Sequence, residues 1–537
     1  MSLFAPSRSH HLIVLILWLS TLFLIWQHYH GLAQLSPGQT VKAQKALSTQ
    51  PEDAQDPEGI LSITLPVDRP QPIAPAAPNG VEALLSSIAK SIEYFVNVPI
   101  QPSEFSQLGG RLQILSTWLS ARETLPSLMS SSQITTLDSH IERTVISLFP
   151  FIRHPMQPKN AQPFSTLRQT FQKGSSGIVI AGDKSNLRYL CHAIQNIRTV
   201  LNSSLPIQIA HAGDRVLTPS LRRFITNLAP NVTTINVPTL LDPRPLDLQR
   251  PDAAPALRPF AVLASPFEQV ILIEPKTIFL QPPTTILENH GAYKATGALL
   301  FHDHLHGKGD FKERHEFWHG LMKNHRHSQA LRSSRVYNEG YAEETDGGVI
   351  VLDKSRTSVM LGLLHTCWQN SKRVRKDFTY KSGDGDRDSW WLGFELAGAP
   401  YAWESRYGGT IGWLLKQEGK QDRVCGNTNL HLDESDKPLW FSGGLVADET
   451  NTVGRDAGVG GYQLPTQWMV DGVFQKRRED LVGRGRERDC MWGDTVRGVG
   501  AEETRVLSES IAAARKVDEK SRLFDARTYR KPTKEGS

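Results

Sequence analysis

Cysteine is scarce in this chain. Its four residues, Cys191, Cys367, Cys425 and Cys490, form no Cys-x-x-Cys pair. That argues against a zinc site built on them and leaves one or two disulfides open, in a pairing that spacing does not decide. A surplus of one charge is lacking as well: 60 Lys and Arg against 55 Asp and Glu give a formal +5, too balanced for a nucleic-acid partner. The excess is local, in Lys-Arg-Arg and Arg-Gly-Arg clusters from Lys476 onward. There is no P-loop and no internal repeat. The apolar run Leu12–Trp26 is short, and at 1.5 Å per residue it spans roughly 22 Å against a ~30 Å hydrocarbon core. It reads either as a signal peptide, with Gly31-Leu32-Ala33 as the cleavage site, or as a short signal anchor extended by His10, His11, Trp26 and Tyr29.

What is present is a chain of 537 residues, 39% of them hydrophobic, enough for a sizeable core. From about Gln34 to Asn79 it is rich in Pro, Ala, Gln and Ser and reads as a flexible stem. Three sets then recur at helical spacing: Leu84, Leu85, Ile88, Ile92 and Phe95; Leu108, Leu112, Leu115 and Leu119; and Ile141, Val145, Ile146 and Phe149. They predict a small helical region packed on the body. From Ser175 the pattern turns to strand, glycine turn and helix. Gly177–Asp183 leads to a helix over Leu187–Leu201, and Ile207–His211 to a helix N-capped by Thr218. A short amphipathic segment, Pro259–Ala264, precedes Val270–Ile273, whose uninterrupted apolar run predicts a strand buried on both faces. The class is α/β, with a doubly wound nucleotide-binding sheet.

Ligands in such sheets bind beyond the carboxyl ends of the strands, which draws attention to Asp183, Glu274 and Lys276. Asp183 suits hydrogen bonds to a base or ribose, or a cap on the following helix; Glu274 and Lys276 suit chemistry, or a solvated exit from the strand. His302, His304 and His306 alternate, and on a strand would share one face, as metal ligands or plain surface. Asp346 lies in an acidic, glycine-containing approach to the strand 349–352. Asp384, Asp386 and Asp388 stand at alternate positions before Trp390-Trp391, which suits helix capping or a reaction centre, and with Glu395 they imitate part of an EF-hand loop that has Ser389 where glycine is required. The chain past Lys476 reads as a polar, basic tail with a helix near Arg505–Lys516 and a solvated end after it.

Several long blocks between Ser175 and Asp448 resemble the fungal Golgi α-1,3-mannosyltransferase family. They are Gly182-Asp183; Leu205-Pro206-Ile207; Pro259-Phe260-Ala261; Ala264–Phe267; Phe279–Pro283; the acidic-glycine approach at Glu343–Leu352; Gly385-Asp386 with Asp388; Trp391–Tyr401; and Asp436–Gly444. The resemblance implies a type II Golgi membrane enzyme with a GT-A-like fold that moves mannose from GDP-mannose to a mannose-terminated glycan, with retention and in α-1,3 linkage. It implies a cytoplasmic tail over 1–11, an anchor over 12–29, a stem over 30–80, a helical region over 81–174, a lumenal catalytic domain over 175–475 and a basic tail over 476–537. By the same resemblance Asp386, Asp388 and Asp346 belong to the reaction centre. Gly182, Asp183, Glu274, Lys276 and Lys437 bind the donor, and Glu274 and His431 hold Mn²⁺. Asn202 and Asn231, each in an Asn-x-Ser/Thr triplet, become glycan acceptors if the body is lumenal.

One departure falls on the family's Asp-x-Asp motif, where this chain reads Glu274-Pro275-Lys276. The lysine puts a positive charge where a dication would be held, and two unit charges 4 Å apart interact by about 4 kcal/mol at an effective dielectric near 20. The departure keeps open a silent relative that binds glycan or supports a complex; since nothing in the sequence names the base or the sugar, a transferase using another nucleotide sugar stays open as well.

Overall fold

The computed structural model describes residues 78–250, 253–416, 421–426, 429–446, 461–475 and 489–520. The expected tail, anchor and most of the stem lie outside them, as does the basic stretch 476–488.

The sheet strands follow in order: β1 Gln172–Ala181, β2 Ile207–His211, β3 Val232–Asn236, β4 Phe267–Ile273, β5 Ile278–Phe279, β6 Ala298–His302, β7 Thr345–Asp353 and β8 Ala402–Trp403. Seven of them form one sheet in the order β3-β2-β1-β4-β7-β6-β8. β1 runs parallel to β2 and β4, and β2 to β3, whereas β7 is antiparallel to both β4 and β6. The expected α/β sheet is therefore present, with a parallel half and an antiparallel insertion.

Side chains alternate along a strand, and here both faces are buried. Val179, Val270, Leu272, Ile350 and Leu352 enter a core shared with the N-terminal helical region. Ile178, Ile180, Ile271, Ile273 and Val351 enter a second core beneath the helix Leu187–Gln195. The helix Ala254–Ala264 departs from the amphipathic expectation. Every residue from Ala256 to Ala264 is buried, because the helix lies between the sheet and the helical region.

The three apolar sets of the N-terminal region form helices Pro78–Asn97, Phe105–Thr124 and Ser131–Leu148. The last begins with a capping box between Ser130 and Gln133. They share a core with the catalytic body, and at Gly109 the backbones come so close that a Cβ would sit 2.4 Å from the Leu396 carbonyl oxygen.

The C-terminal part departs furthest from expectation. β9 Thr410–Leu415, β10 Arg423–Cys425, β13 Gln467–Met469, β14 Val473–Gln475, β15 Cys490–Trp492 and β16 Arg497–Gly498 make a six-stranded sheet, and β11 Asn429–Leu432 and β12 Pro438–Ser442 pair with β5. Cys425 and Cys490, opposed across β10 and β15, are joined as a disulfide; Cys191 and Cys367 are free and buried. The stretch from 489 to 520 is thus part of the folded body and not a separate polar tail. Its helix Ala501–Lys520 docks on the body through Asp518, which accepts hydrogen bonds from Arg188 at 2.8 Å and Tyr462 at 2.5 Å and pairs with His192 at 2.8 Å.

Candidate functional site

Strand order reverses between β1 and β4: the chain leaves β1 for β2 on one side and returns to the other side as β4. Outside the carboxyl ends of these strands lies a cavity of about 460 Å³. That falls within the ~300–1,000 Å³ usual for small-ligand sites, at the place where doubly wound sheets bind them. Its walls come from residues 181–186 after β1, Ala212, Arg215 and Val216 after β2, part of 248–258, Glu274-Pro275 after β4, and 384–387.

Gly182 lines this cavity, but its lack of a side chain answers to packing, since a Cβ would lie 2.7 Å from Leu190 and 3.0 Å from Ile209. Asp183 also lines it. One carboxylate oxygen of Asp183 accepts from the Ser185 and Asn186 amides at 2.7 and 3.1 Å, which closes the turn before the helix Leu187–Gln195 without capping its first-turn amides, and its place in the wall is additional.

Arg258 holds the centre. It projects from a helix whose other side chains near it are apolar and buried. Its Nη1 donates to Glu274 at 3.2 Å and to Asp386 at 3.1 Å, and Nη2 donates to the Gly347 carbonyl. Asp386 also accepts from the Trp390 indole at 2.9 Å. Next to it Arg387 donates to Asp303 at 2.8 Å and Glu343 at 2.9 Å. Burial opposes the Arg387 charge, but Asp303 and Glu343, with Glu274 and Asp346 beyond them, hold it well above the ordinary arginine range.

Asp346 and His431 meet away from the cavity wall. The His431 imidazole stacks on Trp440 at 4.2 Å, edges against Phe301 and bonds Asp346 through Nε2 at 2.8 Å. Burial works against the Asp346 charge; the His431 contact, the Arg387 charge and the Gly348 amide more than offset it and hold its pKa below the usual carboxylate value. Asp388 is sealed too. One oxygen accepts from the Glu344 and Thr345 amides and the Trp391 indole, while the other has no partner. Burial, with a smaller push from Glu343 and Glu344, raises it to about 7 against the pull of Arg314. Capping alone does not explain Asp388, for it makes no side-chain bond to its own helix N-terminus.

The other expected residues disperse. Lys276 is exposed, its ammonium 4.8 Å over the Tyr189 ring. Lys437 is exposed in the turn between β11 and β12, whose backbone closes on Asp433, and it is not among the residues lining the cavity. The alternating histidines do not share a strand face, because β6 ends at His302. His302 is stacked between Trp403 and Tyr407 and bonded to Glu344, whereas His304 lies on Phe474, where burial pushes its pKa down to about 3. The EF-hand likeness dissolves as well: Asp386, Asp388 and Glu395 point to separate partners.

The residues expected to hold Mn²⁺ do not fit a dication. Glu274 is already bonded to a guanidinium, the His431 Nε2 is taken by Asp346, and Lys276 brings a further positive charge. Among the described residues no group of three or more His, Cys, Asp or Glu side chains is arranged to hold an ion. Sequence reasoning missed Arg258, Arg387 and Asp303. The signal for Arg258 was available: a lone charge inside an apolar helix is seldom buried without a partner.

Residues 175–433 match the family model described as "Mannosyltransferase putative". Among curated proteins, the chain is 26% identical over 146 residues to the α-1,3-mannosyltransferase MNN1 of Saccharomyces cerevisiae, covering 26% of this chain and 17% of that one. It is 21% identical over 329 residues to a protein of the same yeast named "Probable alpha-1,3-mannosyltransferase MNT4", covering 55% and 54%. The chain thus spans about half or less of the length of these relatives. Of solved structures, the GDP complex of the mannosyltransferase Ktr4p from S. cerevisiae aligns over 59% of this chain and 84% of that one, with a TM-score of 0.29 and 12% identity. The galactosyltransferase LgtC aligns over 42% and 72%, with a TM-score of 0.25 and 12% identity.

Proposed function

We propose that the protein transfers mannose from GDP-mannose to a mannose-terminated glycan, forming an α-1,3 linkage with retention; the match of residues 175–433 to the mannosyltransferase family model and the similarity to yeast α-1,3-mannosyltransferases support this reading. The observation that carries this reading is the cavity at the β1/β4 switch point, whose walls all come from within the matched span. Charge builds on the leaving diphosphate during such a transfer, and a preorganised site must meet it with positive groups. Arg258 and Arg387 line the cavity beside Asp386, the carboxylate best situated to face the sugar.

The protein works in the Golgi lumen on a single-pass type II anchor. A Cys425–Cys490 disulfide suits an oxidising compartment, and the asparagines of both glycosylation triplets, Asn202 and Asn231, are exposed. Among the described residues no helix is long and apolar enough to cross a membrane, and the expected span lies outside them.

The test is transfer by the purified full-length chain from a panel of nucleotide sugars to mannose-terminated acceptors, with the new linkage read by NMR. GDP release coupled to an α-1,3-mannosyl product is expected, and preference for a uridine donor would sink the donor assignment. The replaced Asp-x-Asp favours one second reading, a glycan-binding relative without turnover. Acceptor binding with no transfer from any donor would select it.

A further inference from the structure

The misfit of the metal ligands has a counterpart in what stands among them. One guanidinium, that of Arg258, bridges Glu274 at the end of β4, Asp386 from the 384–387 loop and the Gly347 carbonyl at the start of β7. These three elements converge at the carboxyl edge of the sheet, where a cation has to stand if a diphosphate is to leave. We propose that Arg258 is that cation: the donor's diphosphate is met by a resident guanidinium, with the exposed Lys276 ammonium, two residues past Glu274, as its companion, in place of a divalent ion. This rests on the nucleotide-sugar reading above.

Three features carry the inference. The first is donor capacity. A guanidinium has five N–H groups, and those of Arg258 meet three acceptors in the protein; Nε is buried with no partner. Capacity for further acceptors remains in a residue that lines the cavity. The second is preorganisation: the bonds to Glu274, Asp386 and Gly347 fix the plane of the fork, so little side-chain freedom is lost when an oxyanion binds. The third is the sign of the charge at the neighbouring position. The position two residues beyond Glu274, where a second carboxylate would serve a dication, carries Lys276. It is exposed and held only over the Tyr189 ring, free to turn toward an anion.

The experiment is calorimetric titration of the full-length chain with GDP and with guanosine, each in EDTA and in Mn²⁺. For the native chain the GDP affinities in the two buffers are expected to agree within about threefold. Arg258→Gln should weaken GDP by about tenfold or more in EDTA while leaving guanosine unchanged, since the lost charge faces the diphosphate alone. Arg258→Lys, which keeps the charge and loses the fork, should fall between them, and it decides the matter if the glutamine variant does not fold. Lys276→Asp should make GDP binding respond to Mn²⁺. GDP binding by the native chain that tightens tenfold or more with Mn²⁺ overturns the proposal and leaves the functional reading standing. Equal loss of GDP and guanosine in Arg258→Gln also overturns it, because the residue would then be structural. Failure of the native chain to bind GDP or guanosine in either buffer brings down the nucleotide-sugar reading itself, and this proposal with it.

Discussion

Two groups of acidic side chains flank the ends of β4 and β7, and they are paired in opposite ways. On the crevice side Glu274 and Asp386 share one arginine that borders open space, and Arg387 answers Asp303 and Glu343 beside them. On the sealed side Asp346 is matched by a histidine, Glu344 by another, and Asp388 by backbone amides and an indole, all behind aromatic rings. Both groups are rich in carboxylates and look alike in sequence. The difference teaches that acidity alone does not mark the reaction centre. A carboxylate whose partner is a strong cation next to a cavity is arranged to act on a ligand. One whose partners are all internal to the fold is arranged to hold strands together.

The largest effect expected from that contrast is on stability. His431→Ala removes one member of a buried pair and an aromatic stack, and should cost about 3–5 kcal/mol in denaturant unfolding. A loss below 1 kcal/mol would mean that the sealed side is not structural. Next comes Asp386→Asn. It keeps volume while removing charge at the cavity, so turnover should fall about 100-fold or more with the far-UV spectrum retained. Turnover equal to that of the native chain would dissolve the distinction between the two sides.

Asp388→Asn should act mainly through pH. The native carboxyl titrates near 7, above its unfolded value of 3.8, so the folded state binds the extra proton between those limits. Stability from this group is therefore fully present at low pH and is lost as pH rises toward 7 and beyond. The variant should abolish a decline on the order of 2 kcal/mol between pH 5 and 8, with a smaller loss of turnover than Asp386→Asn. An unchanged pH slope in thermal melts would show that Asp388 is ionised throughout. The smallest effect belongs to Lys276→Met, which should change the unfolding free energy by no more than the about 0.5 kcal/mol typical of exposed positions, read in denaturant unfolding. Marked destabilisation would place Lys276 on the sealed side after all.

The legible parts of the sequence were those whose determinants are local. Val270–Ile273 announces a doubly buried strand by its uninterrupted apolar run, and all four residues are fully buried. Thr218 caps its helix as its position before Pro219 suggests, and the three N-terminal leucine and isoleucine sets turn their apolar faces inward. Asp386 stood out through a block of resemblance, not through spacing. What stayed hidden depends on contacts between distant residues. Arg258 meets Asp386 across 128 positions, and His431 meets Asp346 across 85. No periodicity encodes such a meeting. The C-terminal helix was half visible: Val506, Leu507, Ile511, Ala514 and Val517 follow helical spacing, yet the dense charge around them made the segment read as solvent-facing.

That helix sets a timetable for the molecule's birth. Asp518 closes on Arg188 across 330 residues, and Asn196, which bonds both the amide and the carbonyl of Phe279, also reaches Ser510. At roughly 5–20 residues per second, a ribosome that has finished the first crossover helix needs about 15–70 s more to deliver its partner. Throughout that interval the surface that will receive Val506, Leu507 and Ala514 has no cover from its own chain. A nascent protein of this design leaves that surface open until the helix Ala501–Lys520 emerges, and a premature stop codon that removes this helix would be as disabling as one that removes the crevice.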